Sequence, residues 1–205
     1  MRRYEAMPDV KKAELIEGTV YMSSPVSTAH GDPDSLIQTW LGFYAGRTPG
    51  TRASSNVTVR FGPEDVHQPN VSLRILPEYG SQVRLDPKKY ILGAPELIVE
   101  VAATSAAIDL HGKMRAYGRA GVREYLVWRP LDCQFDWFVL QGNEYRLNTL
   151  ASPDVMRSPH FPGLALAVDA LPNHDLAKIL DVLEAELQTA AHRAFVAQLA
   201  AKVNK

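Results

Sequence analysis

The residue of greatest chemical interest is Glu100, a carboxylate near the carboxyl end of the otherwise apolar segment Leu97-Ile98-Val99-Glu100-Val101. A buried acid is costly unless it is paired with a cation or binds a metal ion. Lys113 follows 13 residues later, in a predicted helix that can return toward the same end of the strand. A carboxylate that holds a divalent cation, beside a lysine that orients or stabilises a hydroxide, suits metal-assisted hydrolysis. The simpler alternatives are an acid that points into solvent and a solvated lysine.

Four further polar residues could join such a site. Asn70 ends the triplet Gln68-Pro69-Asn70 and opens the next apolar segment upstream, where a second metal carboxylate would be expected. Glu14 and Glu17 flank two apolar residues, and His30 precedes the first predicted helix. Each signal is weak alone, because a lone histidine is more often a surface or capping residue and the two glutamates could simply be exposed acids. Asp109 is most simply interpreted as a helix cap.

The elements that must position these residues follow an α/β pattern. Strands are predicted over 57–61, 71–76, 96–101 and 124–128, and the third is continuously apolar, which is typical of a central strand covered on both faces. A helix over 109–120, ended by Gly121, joins the last two strands. We therefore expect a mixed sheet organised around this strand–helix–strand unit.

The remaining segments are assigned from apolar spacing and turn residues. We predict a bent strand over 14–22, a helix that begins at Asp32-Pro33-Asp34, a polar loop over 77–89, a hairpin over 135–147 and a short strand over 162–166. The first helix has its apolar residues at helical spacing, namely Leu36, Ile37, Trp40, Leu41 and Tyr44. From Asn173 onward the pattern predicts one helix of more than 25 residues. This divides the chain into a domain over 1–172 and a helical extension over 173–205.

Composition limits the function classes. The 205 residues carry 22 Lys+Arg against 23 Asp+Glu, so a protein that binds nucleic acid through general basicity is excluded. A single cysteine, Cys133, excludes an intramolecular disulfide framework. No apolar run suits a signal peptide or a membrane span, so a soluble cytoplasmic protein is expected.

A local basic patch could still contact DNA. Residues 105–130 carry five basic and two acidic side chains, a net charge of +3. A solvated helix face is the equally simple alternative. The basic residues are Lys113, Arg115, Arg119, Arg123 and Arg129, and Arg84, Lys88 and Lys89 could extend the patch.

Several segments occur in an order that is similar to a known family. They are Glu14-Leu15-Ile16-Glu17-Gly18, Met22-Ser23-Ser24-Pro25 with His30, Pro69-Asn70-Val71, residues 95–101, Asp109 with Lys113 and Tyr117, Ala120-Gly121-Val122, and Glu124-Tyr125. Together they resemble the Uma-type family of endonucleases within the PD-(D/E)xK restriction-nuclease superfamily. The resemblance covers about residues 10–170 and is most specific over 95–128. It implies a restriction-endonuclease-like mixed β-sheet core flanked by helices, here followed by a long C-terminal helix.

The resemblance also implies roles for individual residues. Glu100 would be the acid of the (D/E)xK element and a ligand of Mg²⁺ or Mn²⁺. Ala102 occupies the position of the usual lysine, so Lys113 would be the displaced catalytic lysine. Asn70 falls where the family has the metal-binding aspartate of its Pro-Asp pair. Glu14 falls on an acid near the site, and His30 and Tyr125 fall on positions that line it.

Asn70 departs from the family pattern at the position that should affect activity most. An amide oxygen can ligate a hard cation but brings no charge, so metal binding and cleavage should weaken. The leading hypothesis is a Mg²⁺-dependent endodeoxyribonuclease, or a descendant of one that Asn70 disables. The alternative is a non-catalytic nuclease-fold module that binds nucleic acid or a protein partner. A third interpretation is a homodimeric scaffold whose interface is the C-terminal helix.

Overall fold

The structure is a computed structural model that describes residues 13–22, 25–103, 105–148 and 154–203. In chain order the strands are β1 (Ala13–Ile16), β2 (Thr19–Met22), β3 (Thr51–Ser55), β4 (Val59–Arg60), β5 (Val66–His67), β6 (Val71–Ile75), β7 (Arg84–Leu85), β8 (Ile91–Leu92), β9 (Leu97–Val101), β10 (Glu124–Arg129), β11 (Gln134–Gln141), β12 (Glu144–Leu147), β13 (Val155–Arg157) and β14 (Ala165–Ala167). The helices are α1 (Thr28–Arg47), a π-helical turn (Ile108–Lys113) that continues into α2 (Met114–Ala120), α3 (Leu176–Leu187) and α4 (Ala190–Val203). None of the helices in the described ranges is long and apolar enough to cross a membrane.

A central six-stranded sheet has the order β12-β11-β10-β9-β6-β3. Only β9 and β10 run parallel, while the other neighbours in this sheet are antiparallel. Parallel neighbours require a crossover connection, and the π-turn and α2 supply it. The predicted mixed sheet and its strand–helix–strand unit are therefore confirmed, and the carboxyl ends of β9 and β10 lie at the same edge.

Both faces of β9, the central strand, are covered. Leu97, Val99 and Val101 of β9 pack into the main core together with α1 and α3. On the opposite face Ile98 packs against Tyr117 of α2 in a second cluster. This double coverage explains why β9 is apolar along its length rather than alternating.

A second six-stranded sheet, with the order β2-β1-β5-β4-β8-β7, is built from short strands. Its first two strands form a hairpin, so the bend predicted at Gly18 is a complete reversal. Glu17 and Gly18 form the turn with φ of 49° and 78°, which matches the twist of the flanking strands. This hairpin places Glu14 of β1 beside the central sheet.

Helix α1 begins earlier than predicted. The helix starts at Thr28, after Ser27 in extended conformation, and Pro33 lies inside it. The predicted start at Asp32-Pro33-Asp34 is therefore wrong, because it assumed that the proline marks the first helical position. The additional turn carries His30 within the helix. The predicted apolar face of α1 is confirmed, since all five of its residues are buried.

The C-terminal segment forms two helices rather than the one long helix predicted. The break is at Gln188 and Thr189, whose N–H groups bond to carbonyls three residues back, and the Thr189 hydroxyl donates to Glu186 O. The apolar residues of α3 pack into the main core, so this extension covers the body of the protein. The domain boundary at residue 172 and the homodimer stay predictions.

Candidate functional site

The ammonium group of Lys113 lies among three carboxylates. Its Nζ is 3.0 Å from Glu14 Oε2, 3.0 Å from Glu100 Oε1 and 3.4 Å from Asp109 Oδ1. The four side chains come from β1, the end of β9 and the π-turn. The structure thus brings together Glu14, Glu100 and Lys113, as the resemblance implied, and adds Asp109 to them.

The π-turn and α2 present three residues toward the end of β9 at intervals of four. Asp109 and Lys113 are both buried in the π-turn, and the Tyr117 hydroxyl donates a 2.7 Å hydrogen bond to Glu100 Oε1. Asp109 is not the helix cap that we predicted, because the helical conformation already includes Ala107 before it. Ser105 donates its hydroxyl hydrogen bond to Asp109 Oδ2 instead.

Asn70 is held at the edge of this cluster in a fixed orientation. Its backbone N–H lies 3.4 Å from Glu100 Oε2, and its Oδ1 accepts a 3.0 Å hydrogen bond from the Val101 N–H. Because the Val101 N–H needs an acceptor, the amide oxygen must be the atom that faces it. The amide nitrogen consequently faces His30, with 3.0 Å between Nδ2 and Nε2.

The cluster has an excess of negative charge. Three carboxylates and one ammonium give a formal charge of −2 when all are ionised. Burial, aided by Asp109 and Glu14, outweighs the attraction of Lys113 and raises the pKa of Glu100 to about 7. Burial alone would lower the pKa of Lys113, but the three carboxylates together raise it above its ordinary value. Lys113 is therefore a permanent cation near neutral pH.

An open cavity of about 580 Å³ gives access to the cluster. The four charged side chains and Asn70 form its polar floor, and His30 lies at its side. Its rim is apolar, and there Tyr21, Met22 and Val26 are each more than a third exposed. The cavity can admit a polar or anionic group to the floor while the rim contacts a flat or apolar surface.

The predicted DNA-binding arginines of α2 are engaged in ion pairs. Arg115 Nη2 lies 2.6 Å from Glu17 Oε2, and Arg119 Nη1 lies 2.8 Å from Glu17 Oε1. Arg119 also reaches Asp65 at 3.5 Å. Hydrogen bonds from the two arginines lower the pKa of Glu17 to about 2. Their charges are thus largely compensated, and their contact with DNA stays a prediction.

The other predicted site residues lie further from the cluster. Lys88 and Lys89 are exposed between β7 and β8, and their role in DNA binding also stays a prediction. Tyr125 is fully buried behind the π-turn, where its hydroxyl donates a 3.0 Å hydrogen bond to the Asp109 carbonyl. It supports the backbone of the site from the core.

Sequence reasoning missed the roles of Asp109 and Tyr117. The sequence alone predicts Asp109 as a helix cap and assigns Tyr117 no role in the site. The spacing Asp109-x-x-x-Lys113-x-x-x-Tyr117 was the available signal, because residues four apart share one side of a helix. Within the described ranges no three His, Cys, Asp or Glu side chains form a ready group for a metal ion.

Fold and site together define a nuclease-like α/β protein, in which the central strand of a mixed sheet ends in a carboxylate beside a helix-borne lysine. The Uma2 family, described as "Putative restriction endonuclease", matches residues 1–169. The chain belongs to this family.

A solved structure has a similar fold. It is the crystal structure of a "putative nuclease belonging to DUF820" from Anabaena variabilis, with a TM-score of 0.63 and 16% sequence identity. The match covers 79% of this chain and 90% of that chain. At this identity the likeness shows the fold alone. Comparison with curated proteins gave no match.

Proposed function

We propose that this protein is a divalent-metal-dependent endonuclease of DNA, with its activity weakened at Asn70. The observation that carries the proposal is the 3.0 Å contact between Lys113 Nζ and Glu100 Oε1 in an open cavity at the end of β9. Membership of a family described as a restriction endonuclease supports it.

The charge and the donor atoms of the cluster fit a divalent cation. The formal charge of −2 is uncompensated, and Asp109 Oδ1, which is buried, has only the 3.4 Å ion pair with Lys113 and no hydrogen bond in the described part of the chain. Mg²⁺ prefers oxygen ligands and is commonly held by one or two carboxylates, together with waters and substrate phosphates. Glu100 and Glu14 would hold Mg²⁺ or Mn²⁺ here. The bound cation would neutralise charge on the phosphate.

The protein's own residues would position and stabilise the reacting phosphate. Lys113 stays protonated, so it acts as a hydrogen-bond donor to a phosphate oxygen or to water rather than as a base. Glu14 and Glu100 hold its ammonium in place. The Tyr117 hydroxyl fixes the orientation of the Glu100 carboxylate through Oε1.

Asn70 supports the second candidate, a nuclease-fold module that binds nucleic acid or a protein partner without cutting. An aspartate at this position would add a negative charge and a second carboxylate oxygen. Asn70 instead uses its oxygen to accept from Val101 N–H and turns a donor nitrogen toward His30. It would serve as a metal ligand only as a neutral amide, which lowers metal affinity.

Nicking of supercoiled plasmid with Mg²⁺ or Mn²⁺ tests the proposal. We expect Asn70→Asp to cut at least about tenfold faster than the natural chain, because even the outer-shell partners of a metal ligand are typically worth roughly 10–100-fold and a charged ligand should be worth no less. Lys113→Ala in the Asn70→Asp background should abolish cutting. Asn143→Asp, an identical change in an exposed turn, is the matched control and should behave as the natural chain.

The outcomes separate the two candidates. If no version cuts while salt-sensitive DNA binding is retained, the protein is a binding module. If cutting persists unchanged after Lys113→Ala, the assigned site is wrong.

A further inference from the structure

The face of the central sheet that bears Glu100 also bears two arginines. In the antiparallel ladder of β6 and β9, Ser72 pairs with Ile98, and in that of β3 and β6, Arg52 pairs with Arg74. Directly paired residues lie on one face, and residues two apart along a strand share that face. Arg52 and Arg74 therefore lie on the same face as Glu100. Arg74 is on β6, the neighbour of β9, and Arg52 is on β3, which lies beyond β6.

Arg74 is a buried cation whose charge is only partly compensated. The residue is 5% exposed, and its Nη1 donates a 2.7 Å hydrogen bond to Ser54 Oγ. Among the described residues, no ion pair within 4.0 Å joins Arg74 to an acid. The charge of Glu96 attracts Arg74, although the carboxylate oxygens of Glu96 also accept hydrogen bonds from the Ile75 N–H and the Ser81 hydroxyl.

The two arginines also repel each other. Burial lowers the pKa of Arg74, the neighbouring charge of Arg52 lowers it further, and the charge of Glu96 raises it in part. Like charges placed directly opposite each other in a ladder destabilise a sheet. The direct pairing of the two arginines therefore opposes folding. An anion bound between the two guanidinium groups would compensate both charges.

We propose that Arg52, Arg74 and Ser54 form a phosphate-binding site for the backbone of the nucleic acid whose scissile bond lies at Glu100. The inference rests on the proposed function for its choice of substrate. A guanidinium fork matches the geometry of phosphate oxygens. Arg52 is exposed on β3, the edge strand of the sheet, where a duplex can reach it.

The distance along β6 suits a second contact on the same duplex. Arg74 follows Asn70 by four residues on this strand, which is about 13 Å at roughly 3.3 Å per residue. That equals the axial rise of about four base pairs of B-DNA at roughly 3.4 Å each. Arg52 and Arg74 therefore supply positive charge that no ion pair of the described residues engages, unlike Arg115 and Arg119 of α2.

Equilibrium binding of a labelled DNA duplex, measured by fluorescence anisotropy in EDTA over a range of salt concentrations, tests the site. Arg52→Gln should weaken binding by about fivefold or more and reduce the salt slope by about 1, as expected for the loss of one phosphate contact. Arg74→Gln and Arg74→Lys should weaken it at least as much. Arg146→Gln, at an exposed position on the opposite edge strand, is the matched control and should bind as the natural chain.

A second measurement, of thermal stability, tests whether the variants at the buried Arg74 fold. Thermal melting shows whether Arg74→Gln and Arg74→Lys are folded at the temperature of the binding assay, and Arg52→Gln repeats the binding test at an exposed position. Unchanged affinity and salt slope in Arg52→Gln would overturn the inference. A different result would change the ligand. If the natural chain binds no duplex but is thermally stabilised by inorganic phosphate, and Arg74→Gln is not, the ligand of the site is a small phosphate compound rather than a nucleic acid.

Failure of the inference differs from failure of the proposed function. If DNA binding depends on Arg52 but no version cuts, Asn70→Asp included, the phosphate site is supported and the nuclease proposal is contradicted. If Asn70→Asp cuts, and the added change Arg52→Gln alters neither its KM nor its salt dependence, the nuclease is supported and the phosphate site is contradicted.

Discussion

Replacement of Glu100 by Gln tests the excess of negative charge around Lys113. Glutamine has nearly the same shape and still offers an oxygen to Lys113 and Tyr117, but it cannot be ionised. In the natural chain burial raises the pKa of Glu100 from 4.5 to about 7. A shift of this size corresponds to about 3 kcal/mol of stability. Glu100→Gln should therefore remove the pH dependence of the unfolding free energy that the raised pKa of Glu100 causes.

The direction of the effect follows from proton binding. Between pH 4.5 and about 7 the folded chain binds a proton at Glu100 that the unfolded chain has released. The stabilisation is therefore complete below pH 4.5 and is lost as the pH rises through about 7. The natural chain should lose about 3 kcal/mol from this group across that window, whereas Glu100→Gln should not.

Two other groups must be separated from Glu100. Burial lowers the pKa of His67, so its contribution to stability increases as the pH rises through its unfolded value near 6.5 and opposes that of Glu100. The lowered pKa of Glu17, about 2, acts only below pH 4.5. Both groups are present in the variant and the natural chain. The difference between the two unfolding free energies therefore isolates Glu100.

Urea unfolding in EDTA from pH 4.5 to 8.5 measures this difference. Relative to the natural chain, Glu100→Gln should gain about 3 kcal/mol across the range, or about 6–12 °C in melting temperature for a chain of this size. Glu144→Gln, at a side chain that is 74% exposed, should show no change in slope. Parallel pH profiles for Glu100→Gln and the natural chain would refute the electrostatic reasoning.

Three further predictions concern buried charges and close packing. Lys113→Met removes the cation of the cluster and should lower the free energy of unfolding by about 3–5 kcal/mol at pH 8, measured by the same urea titration. The loss should be smaller at pH 5, where Glu100 takes up a proton, and an equal loss at both pH values would contradict this. Gly163→Ala should cost more than about 1 kcal/mol in urea, because φ is 87° and the new Cβ would lie 2.9 Å from the His192 ring; a neutral result would contradict this contact. Glu124→Gln should lower the unfolding free energy by about 2 kcal/mol in the same assay. The reason is that the fully buried carboxylate accepts hydrogen bonds from an indole N–H, a hydroxyl and a backbone N–H. An unchanged urea midpoint would contradict this.

Sequence patterns predicted the centre of the fold and the first pair of site residues. The apolar run of β9 and the helix that follows it were sufficient to place Glu100 and Lys113 at one edge of a sheet, because a parallel neighbour requires a crossover. The apolar face of α1 was also predictable, since its spacing is regular. Strand β3 was missed because Thr51-Arg52-Ala53-Ser54-Ser55 has no apolar alternation.

Long-range charge pairing was not predictable from local sequence. Arg115 and Arg119 form a basic cluster in the sequence, but Glu17, about 100 residues away, binds both of them. Conversely, Arg52 and Arg74 are separated in sequence and meet only through the register of β3 and β6. Local charge counts therefore could not show that Glu17 pairs with both arginines of α2.

Because of the π-turn over residues 108–113, the geometry of the site depends on the number of residues between β9 and α2. A π-helical turn holds one residue more than an α-helical turn. Loss of one residue there would rotate the following helix by about 100° relative to the preceding chain. Every side chain of the cluster would keep its identity, yet Lys113 would leave Glu100. When relatives of this chain are aligned, a one-residue gap in this segment is thus as informative as a substitution of the lysine itself.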